Sequence, residues 1–135
     1  GQAYTLETEQ EILQALAPDY IRGLSLLGGE PMEPQNRATV LSLVKKVREI
    51  YPRKTIWCYT GYDFEKDVLD KMYFQWDFTH KFLSYLDVLV DGEFVEEKKV
   101  LDLRFRGSTN QRILDVPKSL AAKKAVLWDE KGRYF

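Results

Sequence analysis

The chain has 135 residues, with 20 basic and 21 acidic side chains for a net charge of −1, and is 44% hydrophobic and 13% aromatic. That balance leaves no electrostatic case for a nucleic-acid or anionic-membrane partner, and no apolar run approaches the ~20 residues of a transmembrane helix; the length suits one domain, 1–135, around one sizeable core. A single cysteine, Cys58, excludes an intramolecular disulfide framework and fits a reducing cytoplasm.

Gly1-Gln2-Ala3-Tyr4 lacks the basic region and apolar core of a signal peptide, and a start without Met reads as a processed or artificially made end. Thr8-Glu9-Gln10-Glu11 matches a capping box, Ile12, Leu13 and Leu16 form a short apolar face, and Pro18 ends that helix. Residues 22–27 read as the first strand, running into Gly28-Gly29-Glu30-Pro31. Val40, Leu43, Val44 and Val47 fall at helical spacing after Asn36, a candidate cap, and Pro52 closes the helix. Thr55-Ile56-Trp57-Cys58-Tyr59 reads as a buried parallel strand, followed by Thr60-Gly61-Tyr62-Asp63, a turn and candidate N-cap.

Phe64, Val68, Leu69 and Met72 continue in helical register, and the aromatic stretch Tyr73 to Tyr85 reads as helical too. Asp87-Val88-Leu89-Val90 is a third strand, ending in Asp91-Gly92. Leu101 to Arg106 alternates apolar and polar, as a half-exposed edge strand does, and precedes the polar loop Thr109 to Arg112 and the short apolar run Ile113-Leu114. Ala125 to Trp128 and Arg133-Tyr134-Phe135 could form a small hairpin. Repeating helix–strand units imply an α/β fold with a parallel sheet and right-handed crossovers. Parallel strands share one carboxyl edge, so the turns at Gly28-Gly29-Glu30, Thr60-Gly61-Tyr62 and Asp91-Gly92 should line one mouth, where ligands bind in such folds.

At Leu27-Gly28-Gly29-Glu30-Pro31 the chain resembles the radical S-adenosylmethionine (SAM) superfamily, whose second strand carries a GGE-type motif. Gly23 to Pro31, Ile56 to Tyr62, Asp87 to Phe94 and Arg106 to Arg112 follow in the order found in the activases of anaerobic ribonucleotide reductases. The resemblance covers most of residues 5–116. It implies a partial TIM-like (β/α) barrel that binds a [4Fe-4S] cluster and SAM. The reduced cluster passes an electron to the sulfonium, and the resulting 5′-deoxyadenosyl radical takes a hydrogen from one glycine of the large reductase subunit. An electron donor such as flavodoxin or ferredoxin would complete the system. The cofactors supply the radical chemistry, and the protein supplies position and a water-poor cavity.

Carried over by position, the resemblance implies that Gly28, Gly29, Glu30 and Pro31 hold the methionyl amino group of SAM, where glycines allow close backbone approach. It places Thr60 and Gly61 on the carboxylate or ribose side, and Asp91 at an acidic strand end approaching SAM. The position after Gly92 is often Lys in related activases and is Glu93 here, which weakens that contact. Arg106, Gly107, Ser108, Asn110 and Gln111 form the late polar motif, serving either SAM or the reductase. The family's three-cysteine CxxxCxxC loop, and the strand before it, have no counterpart in these 135 residues; Cys58 cannot replace three thiolate ligands. The resemblance therefore assigns neither a catalytic residue nor a metal ligand to this chain, and implies that it does not turn over alone.

Taken by itself, GGEP fits a ligand-free strand-to-helix turn equally well, and neither a G-x-G-x-x-G nor a G-K-[ST] phosphate motif is present. Cys58 reads as buried apolar filler, and His80, the sole histidine, as a packed or half-exposed helix residue with no second ligand at metal spacing. Phe74, Trp76 and Phe78 suit core or a docking surface. Arg104, Arg106 and Arg112 could bind a carboxylate or a partner, or simply line a solvated edge, and Glu96 to Lys99 is a solvated charge run. Two functions of different class follow: most of a radical SAM activase, or a non-catalytic α/β module that binds SAM or docks on a reductase. With the first barrel strand missing, the exposed edge beside residues 24–27 should favour self-association.

Overall fold

A computed structural model describes residues 6–27, 30–93 and 110–129. Four strands form one open sheet in the order β1 (Gly23–Leu26), β2 (Thr55–Tyr59), β3 (Val88–Asp91) and β4 (Arg112–Asp115). β1 pairs with β2 and β2 with β3 in parallel, with Leu26 opposite Cys58 and Tyr59 opposite Val90, as the apolar runs predict. Gly23 permits the first pairing: a Cβ there would lie 2.0 Å from the Thr55 carbonyl oxygen. β4 departs from the all-parallel expectation. It runs antiparallel to β3, with Arg112 opposite Asp91, a geometry that needs no helical crossover.

Helix α1 (Leu6–Ala15) already contains Thr8, so the predicted capping box is not a helix start. Glu9 is buried instead, accepting from Ser42 Oγ at 3.0 Å and pairing with Lys46. A 3₁₀ turn, Pro34–Asn36, leads into α2 (Arg37–Ile50). Asn36 makes no capping bond; its Nδ2 reaches back to the Glu30 carbonyl at 2.8 Å, holding the β1 exit loop against the start of α2.

Asp63 does cap its helix, accepting from the Glu65 and Lys66 amides at 2.9 and 2.8 Å. That helix, Phe64–Met72, is π-helical, with the Asp63 carbonyl accepting from Val68 N at 3.1 Å. It continues into α3 (Tyr73–Gln75), and an extended residue, Trp76 (φ −137°, ψ 127°), separates α3 from α4 (Asp77–Tyr85). The aromatic stretch 73–85, read as helical, is thus helical in two segments. α5 (Val116–Ala122) went unpredicted, although Asp115 accepting from Lys118 N at 3.0 Å and Pro117 in the first turn are ordinary start signals.

Strand alternation sorts the core. Leu26, Ile56, Cys58, Leu89 and Leu114 face α2, the π-helix and α4, which contribute Leu43, Val44, Val47, Phe64, Val68, Met72, Phe82 and Leu83. Trp57, Val88 and Val90 bury on the other face with Tyr59, Ile113 and Trp128, and the Trp57 and Trp128 rings meet edge-on with centroids 4.9 Å apart. Residues 126–128 pair with β4: Asp115 N donates to Val126 O at 2.8 Å and Trp128 N to Ile113 O at 2.9 Å. The partner expected for them in a hairpin, Arg133–Phe135, and the strand expected at Leu101–Arg106 lie outside the described residues. No helix among the described residues is long and apolar enough to cross a membrane.

Candidate functional site

β1, β2 and β3 end at one rim, and their exit segments are cross-linked there. Thr60 N donates to Val90 O and Gly92 N to Tyr62 O, both at 3.0 Å, joining the β2 and β3 exits. The Glu30 carboxylate joins the β1 and β2 exits. It accepts from Thr60 Oγ1 at 2.8 and 2.9 Å, from Gly61 N at 2.7 Å, and from Met32 N of its own loop at 3.0 Å. Thr60 and Pro31 are buried beneath this junction. The Glu30 carbonyl is occupied as well, by Glu33 N at 3.2 Å and Asn36 Nδ2 at 2.8 Å.

A second contact crosses the same gap: the Tyr62 hydroxyl donates to Glu33 Oε1 at 2.7 Å. That hydrogen bond, helped by burial and by the charges of Glu33 and Glu30, pushes the Tyr62 phenol up to about 12. Behind the loop, Arg37 Nε donates to Met32 O at 3.2 Å and its guanidinium lies 3.6 Å over the Trp76 ring. Trp76 and Phe78 are half-buried against the core, and Phe78 stacks on Phe82. A recess of about 210 Å³ opens beside the loop, lined by Leu26, Leu27, Pro31, Asn36, Thr39 and Val40.

Asp91, only 1% exposed, is committed within the protein. Its Oδ2 accepts from Phe64 N at 2.8 Å and Arg112 Nη2 at 2.6 Å, and its Oδ1 from Arg112 Nε at 3.0 Å. Arg112 also donates to Glu65 Oε1 at 2.8 Å, and its bonds to these carboxylates raise its pKa further. Of the readings open for Arg112, carboxylate binding is the one realised, and the carboxylate is internal. Gly92 turns the chain after β3 with φ at +98°, a value that suits glycine. Gln111 Nε2 donates to the Gly92 carbonyl at 3.0 Å and Asn110 Nδ2 to the Glu93 carbonyl at 2.7 Å, so both pin the β3 exit.

Gly28, Gly29, Arg106, Gly107 and Ser108 lie outside the described residues. Cys58 is fully buried, and burial, aided by the Glu30 charge, pushes its thiol well above the ordinary range, as suits an apolar core position. His80 is exposed; its Nε2 sits 2.8 Å from the Tyr73 carbonyl and its ring 3.7 Å from the Tyr73 ring. Among the described residues no three His, Cys, Asp or Glu side chains gather as a metal site. The Tyr62–Glu33, Arg37–Trp76 and Arg112–Asp91 contacts had no local sequence signal, because 21 to 39 residues separate the partners.

Residues 1–114 match the family model described as a 4Fe-4S single cluster domain. The anaerobic ribonucleoside-triphosphate reductase-activating protein of Vibrio cholerae is 44% identical over 115 residues, covering 84% of this chain and 69% of the relative. This chain belongs to that activating-protein family. The phage T4 member is 39% identical over 113 residues, 84% of this chain and 65% of the relative. The Escherichia coli K12 member is 39% identical over 113 residues, 82% and 68%. The chain therefore spans about two thirds of these activating proteins. No solved structure matches it.

Proposed function

We propose that this chain is the SAM-holding part of a radical SAM activase, a partial (β/α) barrel whose intact form makes a glycyl radical on the anaerobic ribonucleotide reductase. The supporting observation is the Glu30 carboxylate spanning to Thr60 and Gly61, which makes one continuous wall of the β1 and β2 exits. In this reading the backbone of Gly28 to Pro31 receives the methionyl ammonium. Glu30, with both oxygens engaged by protein donors, holds that backbone in place rather than touching the ligand. Thr60 and Gly61 face the carboxylate or ribose side. Asp91, neutralised by Arg112, shapes the third wall, and Arg106, Ser108, Asn110 and Gln111 serve SAM or the reductase. When bound beside its cluster, SAM supplies the radical chemistry; the chain's own residues bind, orient and exclude water.

The iron–sulfur cluster does not fit these residues. It needs several thiolates, and the sequence holds one cysteine, whose thiol is buried and kept protonated. We infer that the 135 residues bind SAM without cleaving it, and that turnover needs the cluster ligands, the large reductase subunit and an electron donor such as flavodoxin or ferredoxin, all in the cytoplasm. The same cysteine chemistry favours a second reading for the chain taken alone, a non-catalytic SAM-binding or reductase-docking module. Isothermal titration of SAM should show 1:1 binding, and ATP, which lacks the methionyl end, should not compete; absence of SAM binding would overturn the cofactor reading. Anaerobic reconstitution with iron and sulfide should yield no stoichiometric cluster absorbance, and a stable cluster would refute the assignment of missing ligands.

A further inference from the structure

We propose that Tyr62 and Glu33 are positioning residues for the methionyl end of the SAM site, an inference that rests on the SAM reading above. Glu30 and Glu33 lie three residues apart on the β1 exit loop, at an offset held by Glu33 N donating to the Glu30 carbonyl and by Asn36 Nδ2 on the same oxygen. Each carboxylate reaches the facing turn, Glu30 to Thr60 and Gly61, Glu33 to the Tyr62 hydroxyl at 2.7 Å.

The turn is already tied to β3 by Thr60 N on Val90 O and Gly92 N on Tyr62 O, and the Glu30 carboxylate ties the β1 exit loop to it at Thr60 and Gly61. One carboxylate fixes the loop's distance from the turn but not its tilt; a second, three residues further along the loop, fixes both. Tyr62 suits that role because its ring packs partly buried against the core while its hydroxyl projects to the loop. A phenol donating to a carboxylate is a charge-assisted bond, stronger than a neutral pair and directional. The loop orientation it sets is that of the segment from Glu30 to Glu33. The bond lies beside the proposed ligand and need not touch it.

The test titrates SAM into the 135-residue chain and its variants by calorimetry and follows amide exchange at Met32 and Gly61 by NMR. Tyr62→Phe and Glu33→Ala should each weaken SAM roughly tenfold, the worth of one charge-assisted hydrogen bond, and the double variant no further than either single. Glu33→Gln, whose amide oxygen still accepts, should restore affinity to within about threefold of the parent, a rescue that a purely stabilising role does not require. Circular dichroism checks that each variant remains folded. Equal SAM affinity of the parent and Tyr62→Phe, or additive losses in the double variant, would overturn the proposal. Should the parent chain not bind SAM, the cofactor reading falls, and exchange decides the clasp separately: faster exchange at both amides in Tyr62→Phe supports it, and unchanged rates refute it.

Discussion

Arg112 and Asp91 form the most demanding contact at the rim, because Asp91 is 1% exposed and Arg112 supplies two of its three hydrogen bonds. Removing one member of a buried pair strands the other charge. Arg112→Ala should therefore cost about 2 kcal/mol in urea denaturation, below the ~3–5 expected for a fully buried pair because the Arg112 side chain is 34% exposed. Arg112→Lys should recover part of this and lose the bidentate geometry. Tyr62 gives a pH prediction of definite sign. Its folded pKa, about 12, lies above the ordinary value of 10.0. The folded state thus binds the proton more tightly, and the stabilisation is full below pH 10.0 and declines as pH rises toward about 12. Denaturation midpoints over that window should fall more steeply for the parent than for Tyr62→Phe; parallel curves would disprove the Tyr62–Glu33 bond.

At the scale of elements, strands and turns were legible where local chemistry decides them. The run Thr55–Tyr59 and the cap Asp63 fall where predicted, since a β-branched apolar strand and an Asx cap need only near neighbours. Asp63→Ala should lower stability by about 1 kcal/mol through loss of the cap, measurable in the same urea series. Thr8 and Asn36 show the converse. Both carry capping chemistry, yet Thr8 lies inside α1 and Asn36 spends its amide on the Glu30 carbonyl. Gly23 begins β1, and the 2.0 Å approach of the Thr55 oxygen to where its Cβ would stand leaves no room for a side chain. Gly23→Ala should open the β1–β2 ladder, seen as loss of amide-exchange protection at Thr55, whose N–H bonds Arg22 O at 3.0 Å.

For the whole molecule, β1 is one end of the sheet, paired among the described residues with β2 alone, while β4 is covered by residues 126–128. An edge that no described residue covers, beside exposed Leu27, is a site for strand pairing. Sedimentation should reveal concentration-dependent self-association, reduced by Ser25→Lys, which places a charge on the exposed edge; a strictly monomeric chain at high concentration would contradict it.

The order from α1 to β3, the convergence of Glu30, Thr60-Gly61 and Asp91 toward one sheet edge, and the presence of a single cysteine are all legible in the amino-acid sequence. Those follow from periodicity, parallel topology and counting. What the polar groups do once brought together depends on contacts between residues far apart in the chain. Glu30 and Asp91 were both expected to face a ligand, and both spend their oxygens on protein donors. A carboxylate leaving water must find donors, and apart from Met32 N these come from residues 21 to 31 positions away, which only the fold places within 3 Å.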